Sequence, residues 1–218
     1  PTLTTAMKSV GEAMAIGRSF PEALQKGLRS METGLSGLDE VEPPGDGGPD
    51  AFRAALSAPR PDRLLMAAQA LRAGLTVEDI HDATKFDPWF LRELEKVVQA
   101  EREVAGGLPQ QAGALRRLKA LGFSDLALGR LAGVPATAVA ALRAKLGVQP
   151  VYKRIDTCAG EFASATPYMY STFEGGYGAP VCEADPSARQ KIIILDNLTR
   201  ALPKETTLAA PGVLEPES

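Results

Sequence analysis

The stretch FDPWFLRELEKVVQAEREVAGG, Phe86 to Gly107, is typical of one amphipathic helix. The pair Asp87-Pro88 is a common helix start, because aspartate caps free backbone amides and proline fits the first turn without strain. Gly106-Gly107 then ends the pattern. Between these signals, helical spacing marks an apolar stripe and its exposed edge: Phe90, Leu91, Leu94, Val97, Val98, Glu101 and Val104. Such a stripe has to be covered by other elements.

Seven shorter stretches around this helix also carry helical patterns. In the first of them, Ser19 and Glu22 form a capping box, and Leu24, Leu28 and Met31 then fall on one face. The predicted ranges are Ser19–Glu32, Asp50–Leu56, Asp62–Ala73, Thr76–Thr84, Gln111–Leu121, Ser124–Ala132 and Pro135–Leu146. None of these helices is long enough to be stable alone, so they must bury their stripes against each other. The sequence therefore predicts a mainly α fold, an irregular bundle of short helices.

The regions flanking this bundle have a different character. Upstream, a further short helical piece is indicated by Met7, Val10, Met14 and Ala15. Residues 36–50 are acidic and rich in Pro and Gly, which is typical of a loop. Residues 148–183 contain all four tyrosines and predict an irregular, extended connector with strand-like pieces. The run KIIIL, Lys191–Leu195, predicts one isolated strand, and we expect the tail after it to be poorly ordered.

Composition excludes several classes of protein. Hydrophobic residues make up 44% of the 218 residues and charged residues 23%, which is ordinary for a globular protein, and a net charge of −3 gives no general attraction to nucleic acid or membranes. No secretory signal or run of about 20 apolar residues is present, so a cytoplasmic location is expected. Two cysteines and one histidine do not predict a disulfide framework or a structural zinc site. The absence of an initiating Met suggests a chain cut from a longer one.

A helix-turn-helix DNA-binding module at Leu115–Val148 is an alternative hypothesis. Two short helices meet at Gly133-Val134, and six cations face only Asp125, for a local charge of +5. However, the second helix begins PATAVAAL and lacks the Arg, Asn, Gln or Lys side chains that read base edges. The cations are Arg116, Arg117, Lys119, Arg130, Arg143 and Lys145.

No residue is singled out for catalysis, cofactor binding or metal binding. Cys158 lies between Asp156 and Glu161, and carboxylates disfavour a thiolate, so a small buried thiol is predicted. His81 is interpreted as a helix-surface or packing residue.

The aromatic group Phe86, Trp89 and Phe90 provides the candidate interface or packing residues. It could anchor a hydrophobic cluster or form an interface hot spot, because tryptophan is favoured at interfaces. We leave both alternatives open.

Four stretches together resemble, in order and spacing, the middle of the large subunit of carbamoyl-phosphate synthetase. They are MKSVGEAMAIGRSFPEALQKGLRSMETG (7–34), TKFDPWFL (84–91), LRRLKALGFSD (115–125) and PVYKRIDTCAGEFASATPYMYSTFE (150–174). The last block is the most specific, and the resemblance extends from residue 2 to about residue 195.

The resemblance implies a division of the chain. Residues 1–18 would be the C-terminal end of the first ATP-grasp synthetic half, 19–147 the helical oligomerisation domain and 148–190 a connector. Residues 191–195 would begin the second half. There the resemblance ends, because DNLTRALPKE (196–205) replaces the family's glycine-rich turn, so 196–218 form a divergent tail.

The resemblance also implies a non-catalytic fragment that links the two synthetic halves and self-associates. The parent enzyme, a ligase, makes carbamoyl phosphate from bicarbonate and glutamine-derived ammonia for arginine and pyrimidine biosynthesis. It uses ATP and Mg²⁺ or Mn²⁺, held outside this chain, and a small glutaminase subunit. Expected partners are thus the synthetic halves, that subunit and a second copy, but neither nucleic acid nor a membrane.

Overall fold

The computed structural model describes residues 4–7, 11–162, 168–174 and 180–185. Within these ranges the fold is mainly α, as predicted, with eight short helices followed by one two-stranded sheet. The elements are α1 (Phe20–Ser30), α2 (Pro49–Ser57), α3 (Arg63–Arg72), α4 (Val77–Thr84), α5 (Pro88–Val104), α6 (Ala112–Ala120), α7 (Asp125–Ala132), α8 (Ala136–Lys145), β1 (Val151–Arg154) and β2 (Met169–Thr172).

Capping side chains explain why the helices begin where the sequence predicts. The hydroxyl of Thr76 accepts from the amide of Asp79, and the carboxylate of Asp79 accepts from the amide of Thr76, which makes a complete capping box. The carboxylate of Asp87 accepts from the amide of Trp89 at 2.7 Å. All eight predicted helices are confirmed, with ends that agree to within two residues.

Helix α5 lies at the centre of the bundle and packs against α1, α3, α4 and α7. Its predicted stripe is buried, with Leu91, Leu94, Val97, Val98 and Val104 each at most 2% exposed. The core continues into α2, where Phe52 and Leu56 are fully buried. The longest helix therefore organises the fold because its apolar face is covered on several sides.

Two predictions about the N-terminal part are wrong. Residues 4–7 and 11–17 contain no helix, and Met7 and Met14 are 92% and 86% exposed, because no other element covers them. Val10 lies outside the described residues. In α1, Leu28 is buried as predicted, but Met31 is 55% exposed and the buried positions include Glu22 and Gln25.

The extended connector contains an antiparallel hairpin. Strand β1 pairs with β2 so that Val151 lies opposite Thr172 and Arg154 opposite Met169. This confirms the predicted strand-like pieces. The predicted strand Lys191–Leu195 and the tail 196–218 lie outside the described residues.

Candidate interaction surface

Three aromatic rings form a group at the start of α1 and α5, in which Phe20 packs partly against the core and the other two rings are half-exposed. Phe20, Trp89 and Phe90 meet edge to face, with ring centroids 5.8 Å (Phe20 to Trp89), 5.0 Å (Phe20 to Phe90) and 4.9 Å (Trp89 to Phe90) apart. Trp89 is 48% and Phe90 46% exposed. We call these three residues the aromatic surface. The rings fix one another, so the surface presents apolar area at little cost in conformational entropy.

Phe86, which was predicted together with Trp89 and Phe90, lies apart from that surface. Its ring packs against the core, and the Arg63 guanidinium stands 5.2 Å from its centroid. Its carbonyl lies 2.7 Å from the Nδ1 atom of His81, which gives the partly buried histidine a packing role. Phe20 replaces Phe86 in the exposed group, and no spacing rule in the sequence links a residue of α1 to the start of α5.

A second group of contacts lies where the chain enters and leaves the bundle. The Lys26 ammonium donates to the carbonyl of Ile16 at 2.9 Å and to the carbonyl of Ser171 at 2.5 Å. It also pairs with the Glu22 carboxylate at 2.9 Å. Residues 11–18, the entering segment, and strand β2 are thus bound by one side chain of α1. We call Lys26, Glu22 and their partners the connector junction.

Tight packing holds the entering segment on α1. A Cβ atom on Gly17 would stand 2.8 Å from the backbone nitrogen of Ala23, so only glycine allows this approach. The Glu22 carboxylate, 2% exposed, accepts from the amide of Arg18 at 2.7 Å. The buried charge of Glu22 is therefore satisfied by an ammonium and a backbone donor together.

Helix α1 is fixed in turn to the bend between α6 and α7. Gln25, 1% exposed, donates to the carbonyl of Leu121 at 2.9 Å, and Arg29 donates to that of Gly122 at 2.6 Å. Gly122 has φ +96°, and a Cβ there would stand 2.9 Å from the Cα of Glu22. The polar residues Glu22, Gln25, Lys26 and Arg29 recur at helical spacing, a signal that sequence reasoning missed.

A buried lysine joins the bundle to the hairpin. The Lys119 ammonium donates to the Phe123 carbonyl at 2.6 Å and the Asp125 carboxylate at 2.7 Å. It also lies 5.0 Å from the ring centroid of Phe173, and the Arg143 guanidinium lies 5.5 Å from that centroid. Phe173, just after β2, is thus held by two cations.

Burial lowers the pKa of Lys119 from 10.5 to about 8, although Asp125 acts in the opposite direction. Burial alone would raise the pKa of Asp125, but Lys119 and Arg143 hold it below its ordinary value. The Arg143 guanidinium pairs with Asp125 at 2.9 Å. Asp125 therefore stays ionised between two cations.

Comparison with known proteins relates this geometry to a family. A family model described as the oligomerisation domain of the carbamoyl-phosphate synthetase large chain matches residues 12–147. The chain belongs to this family. The match includes the whole aromatic surface and the α1 part of the connector junction.

Curated relatives of this oligomerisation domain agree with that assignment. Carbamoyl phosphate synthase large chains of Brucella melitensis, Rhizobium meliloti and Myxococcus xanthus are 58%, 57% and 50% identical over 201, 202 and 199 residues. Each alignment covers 89% of this chain but only 17–18% of the relative. The chain spans less than a fifth of their length, and the predicted resemblance is confirmed.

The basic stretch of the oligomerisation domain uses most of its cations internally. Helices α7 and α8 meet at a bend of 109°, which is within the range of a helix-turn-helix pair. However, four of the six cations form ion pairs: Arg117 with Glu103, Lys119 and Arg143 with Asp125, and Arg130 with Asp39. Paired cations are less available to phosphates, so the geometry gives the DNA-binding alternative little support.

The remaining candidate groups are unremarkable. Cys158 is half-buried and not buried as predicted, because it lies in a bend where its amide donates to Asp156 at 2.8 Å. Among the described residues, no cluster of three or more His, Cys, Asp or Glu side chains could hold a metal ion.

In the part of the chain that the structure describes, no single helix is both long and apolar enough to cross a membrane, although α7 and α8 together have sufficient length and apolar composition as a bent pair.

Proposed function

We propose that this chain is a non-catalytic part of a carbamoyl-phosphate synthetase large chain, which links two synthetic halves and self-associates through the aromatic surface. The parent enzyme would make carbamoyl phosphate from bicarbonate and glutamine-derived ammonia in the cytoplasm. Its ATP, its Mg²⁺ or Mn²⁺ and its small glutaminase subunit would be bound by other parts of the enzyme.

The exposed aromatic surface is the observation that carries the self-association proposal. Trp89 and Phe90 leave nearly half of their area open in a domain whose family is described as an oligomerisation domain. Burying one aromatic side chain removes on the order of 150–250 Å² from water, and tryptophan is enriched among interface hot spots. A second copy of the chain could cover this surface in a symmetric contact, with the same residues on both sides.

The association test uses Trp89→Ala and a matched control. Light scattering and sedimentation of the 218-residue chain across a concentration series should show self-association that Trp89→Ala weakens by about tenfold or more. Leu126→Ala is the control, because Leu126 on α7 is also 46% exposed and apolar. A wild-type chain that stays monomeric at millimolar concentration, or equal weakening by both variants, would contradict the proposal.

The non-catalytic part of the proposal has its own test. Calorimetric titration of the isolated chain with Mg²⁺-ATP should give no heat of binding at millimolar concentrations. Saturable binding at or below this range would show that the chain contains a nucleotide site.

A further inference from the structure

We infer that Lys26 is a positioning residue that couples the entering segment to the connector hairpin, so that a displacement of one reaches the other through α1. This inference concerns residues outside the aromatic surface, and it goes beyond linking two halves by a continuous chain. It assigns a specific side chain to the contact between the two connectors, by which we mean the entering segment and the hairpin.

The bonds of Lys26 have the geometry that this role requires. An ammonium carries three donors, and here they reach one carbonyl of each connector and one carboxylate: Ile16, Ser171 and Glu22. The Lys26 ammonium also lies 5.9 Å from the ring centroid of Tyr170 on β2. Both connector partners are backbone carbonyls. The contact therefore depends on where the backbone lies and not on which side chains Ile16 and Ser171 carry.

Burial makes these bonds stronger than surface contacts. The Lys26 side chain is only 21% exposed, and the carboxylate of Glu22 that orients it is 2% exposed. Losing the ammonium would leave Glu22 buried without its counter-charge and would free both carbonyls at once. A single change at position 26 should therefore act on both connectors.

A second contact between the connectors is weaker. Arg18 approaches Glu174 at 3.8 Å, but the Arg18 side chain is 53% exposed. Exposed pairs at this distance contribute little to stability. Arg18→Ala thus serves to separate this contact from that of Lys26.

Amide hydrogen exchange of the 218-residue chain tests the role of Lys26. In Lys26→Met, exchange of the Arg18 amide, which donates to Glu22, and of residues 168–174 should rise roughly tenfold or more, the effect of losing a charged hydrogen bond. Peptides from α3 to α5 should keep the wild-type rate, which shows that the bundle stays folded. Lys96→Met is the matched control, since Lys96 on α5 is 57% exposed and forms an ion pair with Glu93.

A four-protein comparison tests the coupling itself. Gly17→Ala displaces the entering segment, because its Cβ would meet the backbone of Ala23. With Lys26 present, Gly17→Ala should raise exchange at residues 168–174; with Lys26→Met, it should add nothing there. If Lys26→Met prevents folding, Lys26→Gln replaces it, because glutamine is too short to reach both carbonyls.

Three results would overturn the inference. The first is a rise in only one connector, or in neither, while the bundle stays folded. The second is an unchanged rate at residues 168–174 in Gly17→Ala, or the same increase in both backgrounds. The third is an Arg18→Ala variant that reproduces Lys26→Met. All measurements are made below the concentration of self-association, so their outcome is independent of the aromatic surface.

Discussion

The aromatic surface and the connector junction both use α1, but their chemistry is opposite. At the N-terminus of the helix, Phe20 joins two half-exposed rings that have no polar partner among the described contacts. One turn further on, Glu22 and Lys26 form a buried polar group whose charges are bonded to backbone and to each other. An exposed apolar surface is typical of a contact between molecules. Buried charges that have bonding partners are typical of a permanent contact within one molecule.

The largest effect should come from closing the space beside the junction. Gly122→Ala places a Cβ against the Cα of Glu22 at a φ of +96°, so it should lower the free energy of unfolding by about 2–4 kcal/mol. Gly147→Ala is the control, because Gly147 also has a positive φ (+64°) but has open space around it. Its cost should be about 1–2 kcal/mol. Urea denaturation measures both, and equal losses would mean that the close approach of α1 does not matter.

The next effect separates two aromatic residues that the sequence placed in one group. Phe86→Ala removes a ring packed on the core and under Arg63, so it should lower the free energy of unfolding by about 2–3 kcal/mol. Phe90→Ala removes a half-exposed ring and should cost about 1 kcal/mol or less, while weakening self-association. The reverse order in thermal or urea unfolding would contradict the division between packing and surface.

The last prediction concerns pH and the buried lysine. Because the folded-state pKa of Lys119 is about 8 and its ordinary value is 10.5, the unfolded chain binds more protons between these pH values. The stability contributed by this group therefore rises with pH across that window, by up to about 3 kcal/mol. Urea unfolding at pH 7.5 and 10.5 measures the free energy of unfolding of wild type and Lys119→Met. The difference between the two proteins should increase with pH, and taking the difference cancels the titration of other groups.

A difference that stays constant with pH would show that Lys119 titrates as it does in water. A difference of opposite sign would show that its interaction with Asp125 outweighs burial. Lys96→Met again provides the control for the removal of a lysine, because Lys96 is 57% exposed.

Much of the bundle could be predicted because its signals are local. Caps such as Thr76 with Asp79 and Asp87 with Pro88 lie within a few residues of the helix they start. The apolar stripe of α5 needs only a helical period. These features depend on residues that are close in sequence, so they can be predicted without knowledge of distant contacts.

The candidate site could not be predicted in the same way, because its contacts join distant residues. Lys26 bonds to Ser171, 145 residues further along the chain, and Phe20 meets Trp89, 69 residues further along. Glu, Gln, Lys and Arg are usually exposed, so the helical spacing of these residues in α1 does not by itself indicate burial. Only the partners of Glu22 and Gln25 show why these residues can be buried.

The position of the connector junction has a mechanical consequence. Because Ile16 and Ser171 are bonded to the same ammonium, one path for a pull between the two connectors passes through a single side chain and one turn of α1. A second path runs from Phe173 through Lys119 and Arg143 into α6 and α8, and it reaches α1 through Gln25 and Arg29 at the bend after α6. In terms of force transmission, Lys26 is the short path between the two connectors, and the helical bundle is the long one.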